Sequence, residues 1–80
     1  MIELDFYATE GCHLCDEAIQ QLESYRLYSK TPFTILYRDI IDNDAWYEAY
    51  QNEIPVLVNS QNNKQLTYPF EFTALLNLLA

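Results

Sequence analysis

Ile2, Leu4 and Phe6 alternate with Glu3, Asp5 and Tyr7, the period of two that turns one set of side chains inward and the other outward on a strand. A first strand is predicted over Ile2 to Tyr7. After Thr9-Glu10-Gly11 the period changes: Cys15, Ala18, Ile19, Leu22 and Tyr25 recur at helical spacing. Asp16 and Glu17 lie where the positive end of a helix favours acidic side chains, so a helix is predicted over His13 to Tyr28. Lys30-Thr31-Pro32 breaks it, and the β-branched and aromatic run Phe33-Thr34-Ile35-Leu36-Tyr37-Arg38 predicts a second strand. Strand, helix and strand in this order form a right-handed parallel unit.

In the second half, Asp42, Asn43 and Asp44 are capping candidates for a short helix that ends near Asn52 and carries Trp46, Ala49 and Tyr50 on one face. The apolar run Pro55-Val56-Leu57-Val58, the polar loop Asn59 to Lys64 and the segment Gln65-Leu66-Thr67-Tyr68 predict an antiparallel hairpin. Pro69 ends it, and Phe72, Leu75, Leu76 and Leu79 form the stripe of a terminal helix. The expected order is βαβαββα: an α/β chain with a four-stranded mixed sheet flanked by three helices. Eighty residues suit a single domain over 1–80, and no repeat, low-complexity tract or Pro/Ser-rich linker divides them.

Charge narrows the partners. Arg26, Lys30, Arg38 and Lys64 face twelve acidic side chains, for a formal charge of −8. Nucleic acid is not expected, because phosphate binding draws on clustered Lys and Arg, and an anionic membrane surface is disfavoured for the same reason. A basic-surfaced protein would be steered toward this chain. The start, Met1-Ile2-Glu3-Leu4-Asp5, lacks the basic and apolar regions of a secretory signal, and no stretch approaches the ~20 apolar residues of a membrane span, so a cytoplasmic protein is expected; a monomer is expected as well.

Cys12-His13-Leu14-Cys15 is the one motif with chemistry in it. It falls where a strand gives way to a helix, with Cys12 at the helix N-terminus and Cys15 one turn inside. Unpaired N–H groups and the helix dipole stabilise a thiolate there, which makes Cys12 the expected nucleophile and the more buried Cys15 the resolving thiol. Chance placement of two cysteines gives this spacing in about 2% of cases, so coincidence is a weak explanation. The bland alternative is two small core-facing residues; a structural zinc site wants four Cys or His ligands and the chain offers three. His13 as an imidazolium would favour the Cys12 thiolate, or it is a solvated first-turn residue; Glu10, Asp16 and Glu17 oppose the thiolate. Gly11, the only glycine, stands where a residue free to take positive φ shapes the turn. Trp46, Tyr47 and Tyr50 read as core and surface cover.

The stretch Tyr7-Ala8-Thr9-Glu10-Gly11-Cys12-His13-Leu14-Cys15-Asp16-Glu17-Ala18 resembles the active-site segment of the small glutaredoxin-like proteins of bacteria, a branch of the thioredoxin superfamily. Glu53-Ile54-Pro55-Val56-Leu57 resembles the segment that holds a cis-proline facing the cysteines, and Tyr68-Pro69-Phe70-Glu71 resembles the entry to the last helix. The resemblance implies a thioredoxin-like fold of glutaredoxin type, with the second strand, the first, the third and the fourth side by side. It also implies thiol-disulfide exchange on a protein or small-molecule disulfide, with Ile54 and Pro55 offering main-chain groups to the substrate. No tightly bound cofactor is expected. Glutathione enters as a candidate reductant, against which the residues argue: the family holds its carboxylates with a basic residue upstream of the cysteines and a Gly-Gly turn before an acidic helix cap. Here Thr9-Glu10 stands upstream, no glycine follows Gly11, and only Glu71 is left to replace the cap. Two other functions compete: a dimer holding an iron–sulfur cluster through Cys12 and external thiols, and a non-catalytic adaptor that recruits a basic partner.

Overall fold

In the computed structural model, which describes residues 1–80, the order is β1 (Ile2–Ala8), α1 (His13–Arg26), β2 (Phe33–Asp39), a 3-10 turn (Ile40–Asp42), α2 (Asp44–Tyr50), β3 (Val56–Asn59), β4 (Lys64–Thr67) and α3 (Phe72–Leu78). One four-stranded sheet runs β2-β1-β3-β4. The central β1 is parallel to β2, with Ile2 opposite Phe33 and Ala8 opposite Asp39, and antiparallel to β3, with Leu4 opposite Asn59 and Tyr7 opposite Val56. β3 and β4 form the hairpin. Parallel strands need a crossover, and α1 supplies it. Its end is fastened to the start of β2 by Arg26, whose Nη1 donates to the Phe33 carbonyl at 2.6 Å while the guanidinium lies 4.4 Å from the centre of the Phe33 ring.

Of the inward set predicted for β1, Leu4 and Phe6 are fully buried and Ile2 is half-buried, and Ala8, one residue beyond the predicted strand, is fully buried as well. Leu4, Phe6 and Ala8 join Cys15, Ala18, Leu22 and Tyr25 of α1 and Leu75, Leu78 and Leu79 at the end of the chain in one cluster, so α1 and α3 cover the same face of the sheet. On the other face Asp5 pairs with Arg38 at 3.0 Å, and the Tyr7 ring packs on Trp46 and Tyr50, with centroids 5.5 and 4.6 Å apart. α2 buries no residue fully. No helix is long and apolar enough to cross a membrane.

Several boundaries and faces differ from the sequence reading. α1 stops at Arg26, before the predicted Tyr28: the N–H groups of Leu27 and Tyr28 bond to carbonyls three residues back, and both side chains are exposed, so nothing holds a further helical turn. Asn43 is the α2 cap, accepting from the Trp46 N–H at 3.2 Å; the helix ends at Tyr50, and Ala49 is exposed instead of sharing the packed face. Asn59 is not a loop residue. It lies in β3, 2% exposed, with its amide donating to the Leu78 carbonyl at 2.9 Å and accepting from the Gln61 N–H at 3.1 Å. In α3 Leu75 is buried as predicted, but Leu78 is buried in place of Leu76, which is 66% exposed, and Phe72 is exposed as well. The cause is at the helix C-terminus: Asn59, Asn62 and Lys64 donate to the carbonyls of Leu78 and Asn77 and set the rotation of a seven-residue helix.

Candidate active site

β1 delivers the chain to the C-terminal edge of the parallel pair, where open α/β sheets place their sites. Gly11 turns it into α1 with φ +76°, a left-handed conformation; a Cβ there would meet open space, so the demand for glycine is one of backbone and not of room. Cys12 follows as the N-cap of α1, and its Sγ accepts the Cys15 N–H at 3.2 Å. That N–H and the helix dipole place positive potential on the sulfur, the arrangement that stabilises a thiolate when the pair is reduced. Cys12 and Cys15 have Cα atoms 5.2 Å apart and are joined as a disulfide. Cys12 is half-buried and Cys15 only 3% exposed, so the two sulfurs are unequal in access.

His13 is the next residue, with its side chain largely in solvent. Its Nε2 lies 3.2 Å from Glu17 Oε1, one turn along α1, so the ring is engaged by a carboxylate of its own helix. Glu17 is engaged twice: Oε2 accepts the Tyr68 hydroxyl at 2.9 Å. That bond, together with loss of solvent and the carboxylate charge, raises the Tyr68 hydroxyl above its ordinary pKa. The Tyr68 backbone N–H in turn donates to the Pro55 carbonyl at 3.4 Å. Ile54 and Pro55 are therefore tied to α1 through Tyr68, and Ile54 and Cys12 pack against the same core cluster. Pro55 is buried and Ile54 half-buried; the Ile54–Pro55 and Tyr68–Pro69 peptide bonds are both cis.

All six residues singled out from the sequence, Gly11, Cys12, His13, Cys15, Ile54 and Pro55, thus belong to two segments joined through one tyrosine. The sequence does not mark Glu17 and Tyr68 as a pair. The i,i+4 spacing of His13 and Glu17 was readable, whereas the Glu17–Tyr68 contact spans 51 positions and leaves no local pattern. Glu71 does stand at the N-cap of α3, without a side-chain capping bond; the start of that helix is anchored instead by the Phe70 N–H on Gln21 Oε1 at 3.0 Å. The rim of the site is acidic. Burial pushes the Tyr37 hydroxyl up, and the charges of Asp39, Glu10 and Asp16 push it further, so these three carboxylates act on one patch beside the cysteine turn.

Residues 3–79 match the family described as Glutaredoxin-like domain. Among solved structures, protein XcR50 from X. campestris is 32% identical, with 90% of this chain and 88% of that chain covered and a TM-score of 0.68. Protein Ne2328 from Nitrosomonas europaea is 28% identical over 99% of this chain and 92% of that one, with a TM-score of 0.77. Thioredoxin 1 from Thermosipho africanus, 12% identical over 96% and 89% of the two chains with a TM-score of 0.63, shows the fold alone. No curated protein matches the chain. The strand order, the Cys12–Cys15 pair at the head of α1 and a family match over nearly the whole sequence lead to one assignment: the chain belongs to the glutaredoxin-like domain family and has the thioredoxin-like fold.

Proposed function

We propose that the chain is a glutaredoxin-like thiol-disulfide oxidoreductase. The observation that carries the reading is the inequality within the pair: Cys12 caps α1 with its sulfur accepting an N–H, while Cys15 is buried behind it. In the reduced protein the Cys12 thiolate attacks a substrate disulfide, forming a Cys12–substrate bond and releasing one substrate sulfur as a thiolate that takes up a proton. Cys15 then loses its proton and attacks Cys12 Sγ, which forms the Cys12–Cys15 disulfide and releases the second substrate thiol. Two electrons pass from the dithiol to the substrate, and an external thiol must return them.

Gly11 sets the turn, and the main chain at Ile54 and Pro55 receives the substrate segment as an added strand. His13, turned along the helix to Glu17, borders the substrate beside Cys12. Substrates are protein or small-molecule disulfides, with a basic surface favoured by the acidic rim and the charge of −8. Glutathione, itself anionic, is repelled by the same rim and serves poorly as the reductant. A monomer in a cytoplasmic setting, where thiols are kept reduced, suits this direction of flow.

The test is turnover of a protein disulfide with a dithiol as reductant. Cys12→Ser abolishes it, and Cys15→Ser accumulates a mixed disulfide through Cys12 that mass spectrometry detects. Undiminished turnover in Cys12→Ser overturns the reading, and faster alkylation of Cys15 than of Cys12 reverses the assigned roles. Efficient glutathione-dependent turnover that does not rise with salt would return the protein to the ordinary glutaredoxins.

A further inference from the structure

α1 presents His13, Glu17 and Gln21 at four-residue intervals, one above another on one face of the helix. Two of the three reach the same short segment between β4 and α3. Glu17 Oε2 accepts the Tyr68 hydroxyl at 2.9 Å, and Gln21 Oε1 accepts the Phe70 N–H at 3.0 Å. Tyr68 is also tied to the Pro55 segment, through its backbone N–H on the Pro55 carbonyl at 3.4 Å. The remaining Glu17 oxygen holds His13, the residue that directly follows Cys12.

We propose that Glu17 is a positioning residue: its two carboxylate oxygens clamp the first turn of α1, which follows Cys12, to the Tyr68 segment, which is hydrogen-bonded to Pro55. The inference rests on the oxidoreductase reading and adds to it the part that holds the cysteine turn and the Pro55 segment in register, the two segments that reading assigns to the substrate. One carboxylate has lone pairs for both bonds at once, and the Tyr68 hydroxyl, with its proton held, donates throughout the neutral range. The clamp does not touch the sulfur. Its loss therefore leaves the N–H bond from Cys15 to Cys12 in place and loosens only the gap into which a polypeptide strand has to fit, a condition that a small alkylating reagent does not share.

The prediction separates those two demands. Tyr68→Phe and Glu17→Ala lower kcat/KM for a protein disulfide by about fivefold, the scale of one partly exposed hydrogen bond to a charged group, mostly through a higher KM. The rate of Cys12 alkylation by iodoacetamide changes less than about twofold in both variants. Glu17→Gln, whose amide oxygen still accepts from Tyr68, recovers most of the loss. Combining Glu17→Ala with Tyr68→Phe costs little more than either alone, because both remove the same bond. Circular dichroism melts accompany each variant, and Tyr68→Phe, which removes one oxygen and keeps the ring, supplies the answer if Glu17→Ala does not fold.

Equal losses in turnover and alkylation would overturn the clamp, since Glu17 would then act on the sulfur. So would failure of Glu17→Gln to recover activity, additive losses in the double variant, or unchanged kcat/KM in both single variants while the wild-type protein turns over. Absence of turnover in the wild-type protein would instead defeat the oxidoreductase reading itself.

Discussion

Phe6 and Tyr7 are neighbours on the central strand and live in different surroundings. Phe6 enters the buried apolar cluster roofed by α1 and α3. Tyr7 lies under α2, a helix of seven residues with none fully buried, against the rings of Trp46 and Tyr50 and near the Asp5–Arg38 pair. The site belongs to the first face. Cys15 is a member of that cluster, so the packing that stabilises the fold is the packing that holds the redox pair at its depth. The second face is covered by rings and charges, with Val56, opposite Tyr7, as its fully buried member.

Three measurements would break or sharpen this contrast. Phe6→Ala should cost about 3–5 kcal/mol by denaturant unfolding, because the lost burial and the cavity left behind add up, whereas Tyr7→Ala should cost well under half of that. Equal costs would mean that α2 closes its face as tightly as α1 and α3 close theirs. Asn59→Ala comes next, at about 1–3 kcal/mol, since it strips the buried Leu78 carbonyl of a donor at the edge of the same cluster. A cost within error of zero would show that Asn62, which also donates to that carbonyl at 3.1 Å, is sufficient alone. The smallest effect is alkaline. Burial, then Asp5 and Tyr50, raise the Tyr7 hydroxyl above 10.0, partly offset by Arg38. The folded protein thus holds that proton more firmly than the unfolded chain does. The stabilisation is complete below pH 10 and is lost as the pH climbs through the folded value, so unfolding midpoints should fall above pH 10 and fall less steeply in Tyr7→Phe. Identical slopes would place the titration on Tyr37 or Tyr68, the other two raised tyrosines.

Much of the buried apolar face is written in local pattern. The alternation in β1 and the helical spacing in α1 mark Leu4, Phe6, Cys15, Ala18, Leu22 and Tyr25 without reference to anything distant. The cysteine turn was equally visible, because strand, glycine and helix meet at Cys12 in the sequence itself. What escaped was decided at long range. Asn59 looks like the first residue of a polar loop until the Leu78 carbonyl, nineteen positions away, gives its amide a partner that makes burial affordable. Leu76 and Leu78 both fit a helical stripe, and only the side chains that grip the end of α3 decide which one turns inward. The Glu17–Tyr68 bond is of the same kind: either residue alone is unremarkable, and the sheet order brings them together.

The position of β1 at the centre of the sheet also sets a sequence of events during synthesis. The strand that must be flanked on both sides is the first to be made; β2 becomes available once the chain has reached Asp39, but β3 is complete only at Asn59. A growing chain can close the parallel unit, form α1 and bring Cys12 within reach of Cys15 before Pro55 and Tyr68 exist. The segment that carries Pro55 and Tyr68 is thus made after both cysteines, and α3, whose leucines complete the core, is made last.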